Sequence, residues 1–173
     1  ATHTVTMLAF GLGLSRLAAI RTGALWENAV LLVRYASWAW IGVAMGFAFN
    51  PWATGGDVGP HPVFNWALLG YGFGALLAAV VALFDRRAGR MVESRTMGLF
   101  ALAMLVNYLN ITVALLFRGE VSFDSFSDAE LYAYSAVWLA LGIALLGAGA
   151  WLGSRTLRLA SAAMVALAVL KVF

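Results

Sequence analysis

The chain has no cysteine, one lysine and only three prolines in its 173 residues. Without cysteine there is no disulfide, no thiolate metal site and no thiol nucleophile, and the redox compartment leaves no trace. Pro51, Pro60 and Pro62 fall in a single stretch, so no proline interrupts a helix elsewhere. Charge is scarce as well. Asp, Glu, Lys and Arg make up 11% of the residues, against about 25% in an average soluble domain. Hydrophobic residues make up 63%, and the mean hydropathy is +0.88. A surface this poor in charge faces something other than water.

What is present is one repeating unit, about twenty apolar residues followed by a short polar connection. The stretch 63–84 carries no charge. At ~1.5 Å per residue it covers the ~30 Å hydrocarbon thickness of a bilayer. Membrane helices are expected near residues 1–15, 25–49, 63–84, 96–117, 131–152 and 157–173. The expected fold is therefore all-α, a polytopic transmembrane helical bundle of about six spans. The first is partial and the last is open to truncation at Phe173. Residues 1–173 read as a single transmembrane region. The chain opens on Ala1 without an initiator Met, no signal-peptide arrangement precedes the first apolar stretch, and a helix is still running at Phe173. The expectation is a piece of a longer multi-span protein.

The connections alternate in charge. Residues 15–23 hold Arg16 and Arg21, residues 50–62 hold no Arg or Lys, and residues 85–95 hold Arg86, Arg87, Arg90 and Arg95. Residues 118–129 hold only Arg118, and residues 153–158 hold Arg155 and Arg158. The positive-inside rule then predicts loops 15–23, 85–95 and 153–158 to be cytoplasmic, with the N-terminal end outside an inner membrane. The basic residues follow this alternation rather than forming one patch, so a pI near 9.7 does not argue for nucleic acid. Aromatic placement agrees, with Trp52, Phe64, Trp66, Tyr132 and Tyr134 at one boundary and Trp26, Phe84 and Trp151 at the other.

Local punctuation predicts detail. Asn50-Pro51 stops the second helix, and the glycines and prolines after it keep the following loop irregular. Ser127 with Glu130 is a capping box and Phe126 with Leu131 a hydrophobic staple, so a helix begins at Asp128. Glycine pairs at i, i+4, namely Gly42/Gly46, Gly70/Gly74 and Gly149/Gly153, are candidates for close helix contacts.

Several stretches carry a resemblance. They are Phe64-Asn65-Trp66-Ala67-Leu68-Leu69-Gly70-Tyr71-Gly72 after the proline-rich loop, and Leu116-Phe117-Arg118-Gly119 closing the fourth helix. Tyr134-Ser135-Ala136-Val137-Trp138, Gly153-Ser154-Arg155-Thr156-Leu157-Arg158 and Leu170-Lys171-Val172-Phe173 follow in order. Over most of residues 50–173 the chain resembles the carboxy-terminal portion of a family of large bacterial inner-membrane proteins, a domain of unknown function. The resemblance implies a long array of membrane helices and supplies no activity. Family members often carry an acidic and a basic residue late in the fourth helix. Here residues 110–117 offer only Asn110 and Thr112, so a charged relay is not expected there.

Arg34 is the most unusual intramembrane residue, since a charge at the middle of a span costs ~2.5 kcal/mol or more. Snorkelling, pairing with Glu27 or stacking on Trp38 accounts for it structurally, and an anion or lipid-phosphate contact functionally. Asn107 and Asn110 lie three apart in the fourth helix and Asn65 near the start of the third. Each serves either as an interhelical hydrogen-bonding group or as part of a polar pathway. Arg86, Arg87 and Arg90 are expected to contact anionic lipid headgroups. Lys171 is read as snorkelling, and Glu120, Asp124, Asp128 and Glu130 as a solvated loop and helix start. His3, His61 and Asp57 lack metal-ligand spacing. No nucleophile–base, paired-carboxylate or phosphate-loop arrangement is present, so neither catalytic residues nor a cofactor are expected. The expected role is a non-enzymatic transport or cell-envelope scaffold component. Its partners would be the bilayer and further transmembrane helices of the same or another chain. The alternative is a membrane-embedded enzyme acting on lipid-linked or envelope glycans.

Overall fold

The computed structural model describes Thr6, residues 9–11, 13–14, 16–17 and 20, and then residues 24–124 and 126–171. The predicted partial span at 1–15 lies largely outside the described residues. From residue 24 onward the elements are all helical. Helix α1 (Ala24–Val43) runs into a π-helical turn at Ala44–Ala48, and the short α2 (Pro51–Thr54) follows. A second π-helical turn, Leu68–Gly72, leads into α3 (Phe73–Arg87). Then come α4 (Met91–Arg118), α5 (Asp128–Trp151) and α6 (Arg155–Leu170).

Four of these helices are long and apolar enough to cross a membrane: Leu31–Ala48, Leu68–Arg87, Met91–Arg118 and Asp128–Trp151. The expected count of six is not met among the described residues. The segment predicted at 157–173 forms α6, whose 16 residues fall short of the ~20 that a span needs. Elsewhere the elements follow the prediction within a few residues, with one local difference. The loop after Asn50 contains the one-turn α2, capped by the Asn50 side chain, which accepts from the Trp52 N–H at 3.2 Å.

Two hairpins form the frame. The α3–α4 hairpin closes through Gly89 (φ +76°), and the α5–α6 hairpin through Gly153 (φ +60°), a left-handed turn conformation that glycine adopts without a Cβ penalty. The Ser94 hydroxyl donates to the Ala82 carbonyl at 2.8 Å across the first hairpin, and the Ser161 hydroxyl donates to the Gly142 carbonyl at 2.6 Å across the second. At 28 residues, α4 is about 42 Å long at ~1.5 Å per residue. It therefore holds two ends of the bundle far apart. One end carries Arg86, Arg87, Arg90 and Arg95; the other carries the loops around Pro51 and Phe123.

Close packing in the second hairpin depends on Gly142 and Gly149. A Cβ at Gly142 would meet Val165 Cγ2 at 2.9 Å, and one at Gly149 would meet the Arg158 backbone nitrogen at 3.0 Å. Gly42 and Gly46, predicted as a contact pair, face open space. The main core lies between α1, α3 and α4, where Ile41, Met45, Tyr71, Met104, Tyr108 and Ile111 pack together. The outer faces stay apolar and exposed. Leu139, Ile143 and Leu146 on α5 are examples, as a helix facing lipid or further helices requires.

Candidate functional site

Three places combine polar chemistry with an apolar setting, and each is built by residues distant in sequence. The first lies at the arginine-rich end. Asp85 is fully buried in the last turn of α3, not in a solvated loop as its Asp-Arg-Arg setting suggests. Its Oδ2 accepts from Arg34 Nη2, while its Oδ1 accepts from Arg90 Nε at 3.0 Å and Nη2 at 2.7 Å. Arg34 is 4% exposed, and its guanidinium lies 5.1 Å from the Trp38 ring. The predicted stacking is present and the counter-charge comes from α3. The side chain of Glu27, the other predicted partner, lies outside the described residues. Arg90 belongs to this cluster, whereas Arg86 and Arg87 are exposed.

The second cluster ties α4 to α5 at the loop end. The Ser127 hydroxyl accepts from the Glu130 N–H at 3.2 Å and starts α5 at Asp128. Only half of the capping box forms. The Glu130 carboxylate turns inward, fully buried, and does not lie at a solvated helix start. Its Oε1 accepts from the Tyr134 hydroxyl at 2.9 Å and sits 3.1 Å from Arg118 Nε, a charge contact rather than an aligned hydrogen bond. Arg118 Nη1 donates to the Ser122 and Asp124 carbonyls at 2.7 and 2.9 Å, which folds the loop around the guanidinium. The Phe126 ring lies 4.7 Å from that guanidinium and at 6.4 Å from the Tyr134 ring. Lys171 Nζ donates to the Leu131 carbonyl at 3.2 Å and lies 4.7 Å from the Tyr134 ring. Tyr134 is thus buried within the bundle, not part of an interfacial belt.

The third place is an open groove of about 310 Å³ between the two π-helical turns. A π-helical turn holds one residue more than an α turn and leaves a carbonyl seeking a partner. The Tyr71 hydroxyl, from the second turn, donates to the Met45 carbonyl in the first at 2.7 Å. Asn50 Nδ2 donates to the Gly46 carbonyl at 3.1 Å. The Trp66 N–H donates to the Val58 carbonyl at 3.0 Å and holds the loop over the groove. Asp57, at its rim, closes its own turn by accepting from the Gly59 N–H at 2.7 Å.

The remaining predicted residues separate. Asn110 Oδ1 accepts from Trp138 Nε1 at 2.8 Å and links α4 to α5. Asn107 lies beside the Tyr71 hydroxyl, whose own hydrogen bond goes to the Met45 carbonyl. Asn65 Oδ1 accepts from the Leu68 N–H at 3.0 Å, and its Nδ2 donates to the Pro62 carbonyl at 2.9 Å, so it caps the third helical segment. Sequence reasoning missed the burial of Asp85 and Glu130. The available signal was that each acid sits three residues or fewer inside a helix end, where one more turn removes it from water.

Chemically, both buried carboxylates lie against guanidinium groups, Asp85 against Arg34 and Arg90 and Glu130 against Arg118. Among the described residues, no three His, Cys, Asp or Glu side chains group as metal ligands. A family model described as "Predicted membrane protein (DUF2339)" matches residues 1–173. No curated protein and no solved structure matches the chain.

Proposed function

The chain belongs to this DUF2339 family of predicted membrane proteins, and on that premise we propose that it is a non-enzymatic scaffold module of the bacterial inner membrane. It contributes packed helices to a larger cell-envelope assembly. One observation carries the reading. Arg34, Asn65 and Asn110, three polar groups of the apolar segments, are engaged by three different parts of the chain instead of lining one path. A transport pathway would need such groups to share a cavity. The apolar outer face of α5 supports further transmembrane helices, of the same or another chain, as partners beside the lipid.

In this reading the arginine-rich end is cytoplasmic, where Arg86 and Arg87 meet anionic headgroups at ~1 kcal/mol per basic residue. The cysteine-free chain makes the orientation testable. Under a membrane-impermeant maleimide, Glu120→Cys reacts in intact cells and Ala88→Cys only after permeabilisation. The opposite pattern inverts the topology.

Scaffold and transporter are separated by replacing the buried pair, as Arg34→Met with Asp85→Leu. A scaffold folds with this apolar pair and corrects whatever envelope defect deletion of the gene produces. A variant that folds but leaves that defect uncorrected overturns the scaffold reading in favour of transport.

A further inference from the structure

The groove at the loop end has a use that the scaffold reading does not require. At about 310 Å³ it sits at the small end of the ~300–1,000 Å³ range of small-molecule sites. Its floor is buried and apolar, formed by Met45, Gly70 and Tyr71, while Phe49, Asp57 and Trp66 stand exposed on the rim. The Tyr71 hydroxyl is engaged by the Met45 carbonyl, so the floor offers an occupant hydrocarbon contact. The bond between Trp66 and Val58 holds the groove in shape without an occupant.

Charge decides what the rim accepts. Among the described residues that line the groove, Asp57 is the only acidic or basic one. Two exposed aromatic rings, Phe49 and Trp66, share its rim, and their negative faces favour a cation beside the carboxylate. An anionic headgroup would meet like charge there. An apolar floor with an acidic, aromatic rim in a membrane protein matches a lipid whose exposed end is positive.

We propose that this groove binds a phospholipid with an ammonium headgroup, phosphatidylethanolamine, with one acyl chain along the Met45–Tyr71 floor and the ammonium against Asp57. The proposal holds whether or not the chain is a scaffold, because it concerns only the groove.

Native mass spectrometry of the purified chain, mixed in detergent with phosphatidylethanolamine or phosphatidylglycerol, tests it. The wild type retains phosphatidylethanolamine about fivefold better, the worth of one exposed charge contact. Asp57→Asn, a change in an exposed loop, abolishes that preference while lipid of both kinds still binds. Ala48→Phe fills the groove and releases both lipids. Where that variant fails to fold, Thr54→Trp on the exposed rim blocks the same space. Equal retention of the two lipids by the wild type, a stronger retention of phosphatidylglycerol, or a preference that survives Asp57→Asn overturns the proposal. So does unchanged lipid retention in a folded groove-filling variant.

Discussion

Arg34 and Asp85 form one buried ion pair although 51 residues separate them in the chain. The pair fastens α1 to the last turn of α3, and Arg90 approaches the same carboxylate from the turn that follows. One acid thus holds together α1, α3 and the turn that leads into α4.

Removing that acid strands a guanidinium that is 4% exposed. Asp85→Asn is expected to cost on the order of 3–5 kcal/mol, read as a lowered thermal midpoint in detergent. Replacing both partners, as Arg34→Met with Asp85→Leu, restores most of the loss, because the one charge left without its partner, that of Arg90, is 38% exposed and turns to water. Arg90→Ala costs far less, about 0–1 kcal/mol, since its side chain is 38% exposed. Equal losses for Asp85→Asn and Arg90→Ala would rule out Arg34 as the partner that matters.

The α5–α6 hairpin has its own test. At Gly142 an added methyl group meets Val165 Cγ2 at 2.9 Å and the Ser161 carbonyl at 3.5 Å, so α6 must shift outward. Gly142→Ala is expected to destabilise by about 1–3 kcal/mol. Gly42→Ala, where nothing lies within 4 Å, stabilises by about 0.5–1 kcal/mol through helix propensity alone. Thermal unfolding of the two variants side by side checks the contrast in sign.

At the start of α5, cap and charge are separable. Ser127→Ala removes one hydrogen bond to the Glu130 N–H and costs about 1 kcal/mol. Glu130→Ala removes the counter-charge of an Arg118 side chain that is 13% exposed, and costs roughly 3 kcal/mol or more. Amide exchange over Leu131–Ser135 rises in both variants, whereas order in the loop 119–124 is lost only in Glu130→Ala. A Glu130 variant no worse than the Ser127 variant would reduce Glu130 to a capping residue.

Much of the frame was legible, and the limits have physical causes. The ends of the apolar runs gave the helices, and Ser127 gave the start of α5, because these signals are local. Of the six expected spans, four are long and apolar enough to cross a membrane among the described residues. Of the glycine pairs, Gly42/Gly46 faces open space, because spacing along one helix says nothing about what faces it. The contacts form at Gly142 and Gly149, seven apart and both on the side facing α6. Asp85 read as a loop residue because Arg86 and Arg87 follow it, yet the helix continues through both. Its partner lies 51 positions away, beyond any periodicity. Asn110 reads as an interhelical hydrogen-bonding group or part of a polar pathway, and nothing in the sequence names Trp138 as its partner.

The two π-helical turns have a consequence for how the segments beyond them are aimed. Each residue of an α-helix turns the chain by about 100°, so one surplus residue re-aims every side chain on the loop side of the widening. Ala44–Ala48 and Leu68–Gly72 do this in neighbouring helices and are pinned together by the Tyr71–Met45 bond. Shortening either helix by one residue would throw the two tips out of phase, whereas trimming both together would let them rotate in step. The two widenings are therefore a matched pair, their register to each other held by that bond.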